Sequence, residues 1–294
     1  MKRTAACPRW MLGLAISVAL VFAGSAHADF VLNLQDGANG VGSDGSVFFA
    51  GNYDGTLSTR IREYNNFDYG GAANMQVLYG AAGGTRSLVS FDLTSVAAYL
   101  NAHPEITVTG ATITMYQQNI GGSGSFALNA YQITDANAGW GVGIGNGTNS
   151  PPVLVSGATA GYKNGVDNTN TPGNPANSGT AWAGGHMLGS PGGAGLSNLI
   201  ASITFDAAAS TGTAYVFDID SDGSLMTHWM TVANAGVLFW QPDSGVTTPA
   251  GFWGDKSTTA AYRPVLSITY TVVPEPASIG LVFAGSLMFL RRRR

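Results

Sequence analysis

Hydrophobic residues in this 294-residue chain recur at every second position, in short runs parted by glycine, asparagine and aspartate. Alternation of that kind lays one set of side chains on each face of an extended strand, and runs this short do not sustain most helices. Residues 107–117 show it most plainly, with Val108, Ala111, Ile113 and Met115 at nearly alternate positions and threonines between them. In residues 126–133, Phe126, Leu128 and Ala130 oppose Ala127, Asn129 and Tyr131. The same pattern predicts strands at residues 30–34, 47–49, 59–62, 75–79, 86–93, 199–205, 214–219, 237–240 and 265–272. One helix is expected at residues 95–102, capped by Thr94 or Ser95 and stopped at His103-Pro104. Many short strands with turn punctuation and one short helix predict an all-β chain, an antiparallel β-sandwich or jelly roll.

Residues 139–195 break the pattern. They hold 16 of the 41 glycines, with several prolines and much asparagine, and show little periodicity. The expectation is a long polar loop region, and loops of that length inside a domain are usually functional or disordered.

The two ends differ in kind from the middle. Residues 1–28 have a basic start (Lys2, Arg3, Arg9), an apolar stretch over residues 10–23, and Ala26-His27-Ala28. This is the layout of a secretory signal helix that signal peptidase would remove after Ala28; an N-terminal membrane anchor is the alternative. At the other end, Val273-Pro274-Glu275-Pro276 precedes an apolar stretch at residues 277–290 and then Arg291, Arg292, Arg293 and Arg294. Prolines end a strand because they lack the N–H that a ladder needs. The arginines resist crossing a membrane. The apolar stretch, a predicted hydrophobic helix, falls short of the roughly 20 residues of an untilted spanning helix, which favours transient insertion. The domain division is therefore residues 1–28, 29–271 and 272–294.

This order of motif, apolar run and terminal arginines resembles the PEP-CTERM sorting signal of Gram-negative bacteria. The resemblance implies that an exosortase-type membrane protease cuts near Pro274-Glu275-Pro276. It also implies that the protein is exported across the inner membrane to the cell surface or extracellular matrix. An ordinary hydrophobic tail anchor is the other reading.

Between the two ends lie 6 Lys/Arg against 16 Asp/Glu, a formal charge near −10, whereas the whole chain carries −4. An acidic, lysine-poor exterior argues against nucleic acid held through its phosphates. It also repels polyanions unless the few arginines cluster or a divalent cation bridges. The one cysteine, Cys7, lies in the predicted signal, so the remaining chain has no disulfide.

Five stretches resemble the DNRLRE domain, a bacterial jelly-roll module grouped among carbohydrate-binding modules. Leu34-Gln35-Asp36-Gly37-Ala38-Asn39-Gly40 is similar to its opening strand and turn. Ser58-Thr59-Arg60-Ile61-Arg62-Glu63 stands where the naming motif would be, with Ser-Thr for Asp-Asn, and Asp68-Tyr69-Gly70 replaces its Asn-Tyr-Gly. Arg86-Ser87-Leu88-Val89-Ser90-Phe91-Asp92-Leu93, Gly110-Ala111-Thr112-Ile113-Thr114-Met115-Tyr116 and Arg263-Pro264-Val265-Leu266 complete the order. The resemblance implies a jelly roll and contact with acidic polysaccharide.

Candidate site residues are few. Asp218, Asp220 and Asp222, closed by Gly223, alternate carboxylates as a Ca²⁺ loop does; an Asp-rich turn is the alternative. An EF-hand is excluded, since Trp229 stands where its bidentate glutamate would be. Arg60 and Arg62 share one face of a strand and offer planar forks to uronic acids; locking strand ends is the alternative. Of the tryptophans, Trp140 and Trp182 lie in the glycine-rich stretch and are the expected exposed rings for sugar stacking, with core packing as the alternative. His103, His186 and His228 lack zinc-ligand spacing, and no nucleophile elbow or phosphate loop is present. The expected protein is a non-enzymatic, exported β-sandwich contacting acidic exopolysaccharide. A polysaccharide lyase or glycoside hydrolase of jelly-roll fold, or a purely structural matrix protein, are the rivals.

Overall fold

The computed structural model of the protein describes residues 28–62, 69–79, 84–143, 156–159, 161–166, 178–185, 195–242, 245 and 247–273. The first strands are β1 (Asp29–Leu34), β2 (Asn39–Val41), β3 (Val47–Asn52), β4 (Thr56–Arg62), β5 (Asn74–Val77) and β6 (Thr85–Phe91). Helix α1 (Thr94–Ala102) leads to β7 (Ile106–Tyr116) and β8 (Ser125–Ile133). The glycine-rich stretch contributes β9 (Ser156–Gly157), β10 (Tyr162–Val166) and β11 (Ser178–Ala181). Then come β12 (Leu196–Asp206), β13 (Ala214–Asp220), helix α2 (Ser224–Thr231), β14 (Val237–Trp240), β15 (Ala250–Trp253) and β16 (Val265–Val272).

Two antiparallel sheets form a sandwich. The first has the order β1-β16-β7-β13, the second β12-β8-β14-β6-β4. The chain crosses from one sheet to the other at β1 to β4, β6 to β7, β7 to β8, β12 to β13, β13 to β14 and β14 to β16. Alternation decides what each strand buries. In β7, Ala111, Ile113 and Met115 are buried while Thr112, Thr114 and Tyr116 face out half-exposed. The inner faces meet in one core that includes Leu32, Ile113, Phe217 and Leu266 from the first sheet and Phe91, Leu128, Phe205 and Phe239 from the second. Phe217 and Phe239 touch edge to face across it at 4.8 Å.

A second core lies on the outer face of the second sheet. Leu238 pairs in register with Leu88 on one side and Tyr131 on the other, so all three share that face. Trp140, Ala158 and Trp182 cover them. In its described parts, the long polar loop region expected at residues 139–195 thus carries short strands. β9, β10 and β11 pair into a small sheet, and two buried indoles fasten this region to the sandwich.

The expected helix is present as α1, which buries Val96. A second helix, α2, corrects the count of one; it buries Met226 and Trp229 in the main core. Among the described residues no helix is long and apolar enough to cross a membrane. The predicted signal and hydrophobic tail helices lie outside the described residues, apart from exposed Ala28 and Val273. Both of these leave the same end of the first sheet, because Asp29 pairs with Thr271 in the β1–β16 ladder.

Candidate functional site

The aspartates at 218, 220 and 222 do not converge. The ladder register shifts between Asp218 and Asp220, so Asp218 is exposed on the outer face while Asp220 turns inward and is buried. Asp220 accepts the Gly223 N–H at 3.0 Å through Oδ1 and the Met226 N–H at 2.8 Å through Oδ2. Asp222 accepts the Ser224 N–H at 2.9 Å, and hydrogen bonds from Ser224 hold its carboxyl below the usual range. These carboxylates cap the first turn of α2, whose leading N–H groups have no partner within the helix. Among the described residues no three histidine, cysteine or acidic side chains gather as a metal group, so the Ca²⁺ expectation is withdrawn here.

Arg60 and Arg62 share one face of β4, close enough for the Arg62 charge to act on Arg60, while Arg86 stands apart from them. Ile61 pairs with Arg86, so Arg86 shares the face of Ile61, while Arg60 lies on the opposite face of the same sheet. Arg60 stacks over Tyr69 at 4.3 Å, and burial lowers its pKa. Arg86 stacks over Trp240 at 3.8 Å. Arg62 is exposed at the end of β4. Arg263 is tied into its own loop, donating to the Ser257 carbonyl at 3.0 Å and to the Asp36 carbonyl at 3.3 Å.

Trp140 and Trp182 are overturned as exposed sugar contacts. Trp140 is 4% exposed and donates its Nε1–H to the Ala235 carbonyl at 2.9 Å; Trp182 is 3% exposed and donates to the Thr159 carbonyl at 2.8 Å. Glycine-rich backbone lies close to a sheet, so a large ring within it becomes the apolar cover that glycine cannot supply.

A different aromatic group is accessible. On the outer face of the first sheet, Tyr116 lies 6.1 Å from Tyr262, and Tyr262 lies 6.4 Å from Trp253 with the ring planes 16° apart. All three are half-buried. Gly212 makes room for Tyr262, since a Cβ there would meet the ring at 2.8 Å. Farther along the same outer face, cross-strand partners Asn33, Ser267, Thr112 and Asp218 form a polar row across four strands, and Ser267 Oγ donates to Asn33 Oδ1 at 2.7 Å. A half-exposed aromatic run sharing a face with short hydroxyl and amide groups can stack on flat apolar sugar faces while hydrogen-bonding their rims. Neither Tyr116 nor Tyr262 is among the rings expected from the sequence. The signal was available, because Tyr116 takes an outward position in the clearest alternating strand.

The buried carboxylates nearest in character to catalytic ones are committed elsewhere. Asp36 Oδ1 accepts the Gly55 and Thr56 N–H groups at 3.1 and 2.9 Å. Asp255 Oδ1 accepts the Ser58 hydroxyl at 2.6 Å, and its Oδ2 pairs with Lys256 Nζ at 2.8 Å. They fasten the β3–β4 connection and the loop before β16 around β4. Of the sorting motif, Val273 donates its N–H to the Glu105 carbonyl at 2.7 Å. Pro274, Glu275, Pro276 and Arg291 to Arg294 lie outside the described residues, as does Ala26. No protein-family model matches the chain, and no curated protein matches it.

Proposed function

We propose that this chain is an exported, surface-sorted, non-enzymatic β-sandwich that contacts polysaccharide through the Trp253–Tyr262–Tyr116 run. Processing by signal peptidase at Ala28 and by an exosortase-type protease near Pro274-Glu275-Pro276 delivers it to the cell surface or matrix of a Gram-negative bacterium. The aromatic run on an open, hydroxyl-lined sheet face carries the binding reading. The basic and acidic groups do not favour acidic glycans, because the ectodomain is strongly negative and, of the described arginines, only Arg60 and Arg62 stand together, with Arg60 stacked over Tyr69. Neutral chains are the better fit to this face.

The test is native gel electrophoresis of the full-length chain in mild detergent, with neutral, acidic and amine-bearing polysaccharides cast into the gel. Retardation by a neutral polymer, relieved by Tyr262→Ala or Trp253→Ala without a change in melting, supports the reading. New reducing or unsaturated ends would instead make the protein an enzyme. Mobility unaffected by any polymer would leave a structural matrix protein. For sorting, replacing Pro274 and Pro276 by alanine should hold the chain in the membrane fraction of its host.

A further inference from the structure

Between the two ends the chain has 6 Lys/Arg against 16 Asp/Glu, so every base has acids to choose from. Four of the six are engaged by the protein itself. Lys163 donates to the Ala136 and Ala138 carbonyls at 3.0 and 3.3 Å, and Lys256 pairs with Asp255 at 2.8 Å. Arg263 donates to the Ser257 and Asp36 carbonyls, and Arg86 lies over Trp240. Arg60 and Arg62 are the exception. Among the described residues no hydrogen bond or ion pair reaches either guanidinium.

The two are also placed together. Arg60 pairs with Ser87 and Arg62 with Thr85, on the face of the sheet from which Val89 and Phe91 enter the main core. Alternate positions on a strand stand roughly 7 Å apart, within reach of one small group for side chains this long. Arg62 is exposed, whereas Arg60 is half-buried over the Tyr69 ring at 4.3 Å. Tyr69 is itself 4% exposed, so it braces the guanidinium from one side and leaves its N–H donors needing acceptors. Burial disfavours the Arg60 cation, Tyr69 opposes this and Arg62 adds to it; no carboxylate takes part. A cation drawn partly out of water beside a like charge is a standing cost that a bound anion offsets.

Charge selects the anion. Two guanidiniums balance about two negative charges, which a single carboxylate does not carry and a phosphate monoester does, at about −1.5 to −2 near pH 7. Arginine forks also match phosphate oxygens in pairs. The formal charge near −10 does not forbid such a ligand, because exposed charges beyond about 8 Å are largely screened at physiological ionic strength. A small anion meets only the pair, whereas a polyanionic chain must cross the acidic surface around it.

We propose that Arg60 and Arg62 form a binding site for a small phosphate monoester, with Tyr69 bracing Arg60. The site shares no residue with the Trp253–Tyr262–Tyr116 run and goes beyond the polysaccharide reading. The test is titration calorimetry of the full-length chain in mild detergent, at neutral pH and fixed ionic strength. The probes are glycerol phosphate, inorganic phosphate, acetate and glycerol. Glycerol phosphate and inorganic phosphate should bind, acetate should bind about tenfold more weakly, and glycerol should not bind. Arg62→Gln should weaken glycerol phosphate about tenfold, and Arg60→Gln should abolish its binding. Arg60→Lys, which keeps the charge and loses the fork, should retain only part of it. Should Arg60→Gln fail to fold, Arg62→Gln decides alone, because its side chain is exposed at a strand end. Tyr262→Ala should change nothing. Equal affinity for acetate and glycerol phosphate, or no heat with glycerol phosphate, would sink the proposal. So would binding that survives Arg62→Gln undiminished. If glycerol phosphate binds through the pair and no polymer retards the chain in gels, the anion site stands and the aromatic-run reading fails.

Discussion

Asp36 shows how a single side chain sets a pH response. Its carboxyl is 6% exposed and is raised in pKa, first by burial and then by Asp255 and Asp54, against the opposing hydrogen bonds from Thr56. A folded-state pKa above the unfolded value means the folded protein holds the proton more tightly. The stability so contributed is full below the unfolded value of about 3.9 and is lost as pH rises through the folded value. Asp36→Asn keeps the oxygen that accepts the Gly55 and Thr56 N–H groups but carries no charge. The wild-type melting temperature should therefore fall relative to that of Asp36→Asn as pH rises from about 4 to 7. Parallel melting curves across that range would contradict the assignment. Asp220 makes the complementary case. Replacing it by alanine strands the Gly223 and Met226 N–H groups and should cost about 2–3 kcal/mol by urea denaturation. Chelator and millimolar Ca²⁺ should leave the wild-type melt unchanged.

At the scale of elements, strands were legible and the places where glycine or aspartate dominates were not. The alternation in residues 107–117 anticipates β7 because each outward threonine alternates with a buried Ala111, Ile113 or Met115. Helix α2 was missed because Asp218 to Gly223 reads equally well as a turn or a cation loop. Only the fold reveals that Asp220 bends inward and that Gly223 adopts φ +80° against the Val108 carbonyl. A Cβ at Gly223 would sit 2.2 Å from that oxygen. Gly223→Ala should thus cost more than the roughly 1–2 kcal/mol of left-handed strain alone, measured by chemical denaturation. The tryptophans failed for a related reason. Composition places Trp182 in a polar stretch, whereas its burial depends on Ile61, Leu88 and Leu238 from distant strands. Trp182→Ala should lower stability by about 3–5 kcal/mol and leave glycan retardation in native gels intact.

For the molecule as a whole, the charge near −10 between the two ends sets which polymers can approach. Association with a polyanion should be weakest at low ionic strength and recover as salt screens the repulsion, while an amine-bearing polymer should show the reverse order. Retardation measured at two salt concentrations checks both signs. The sheet order has a consequence of another kind. A chain is synthesised N-terminus first. Yet β16, the last strand, is the one inserted between β1 and β7. The first strand must wait for the last, and the sheet stays open until nearly the whole chain has emerged. Its closure brings Val273 against Glu105 as the final pairing forms. The last strand to be made is thus the one that joins the two halves of its sheet, so a chain cut short before β16 would leave the facing edges of β1 and β7 unpaired.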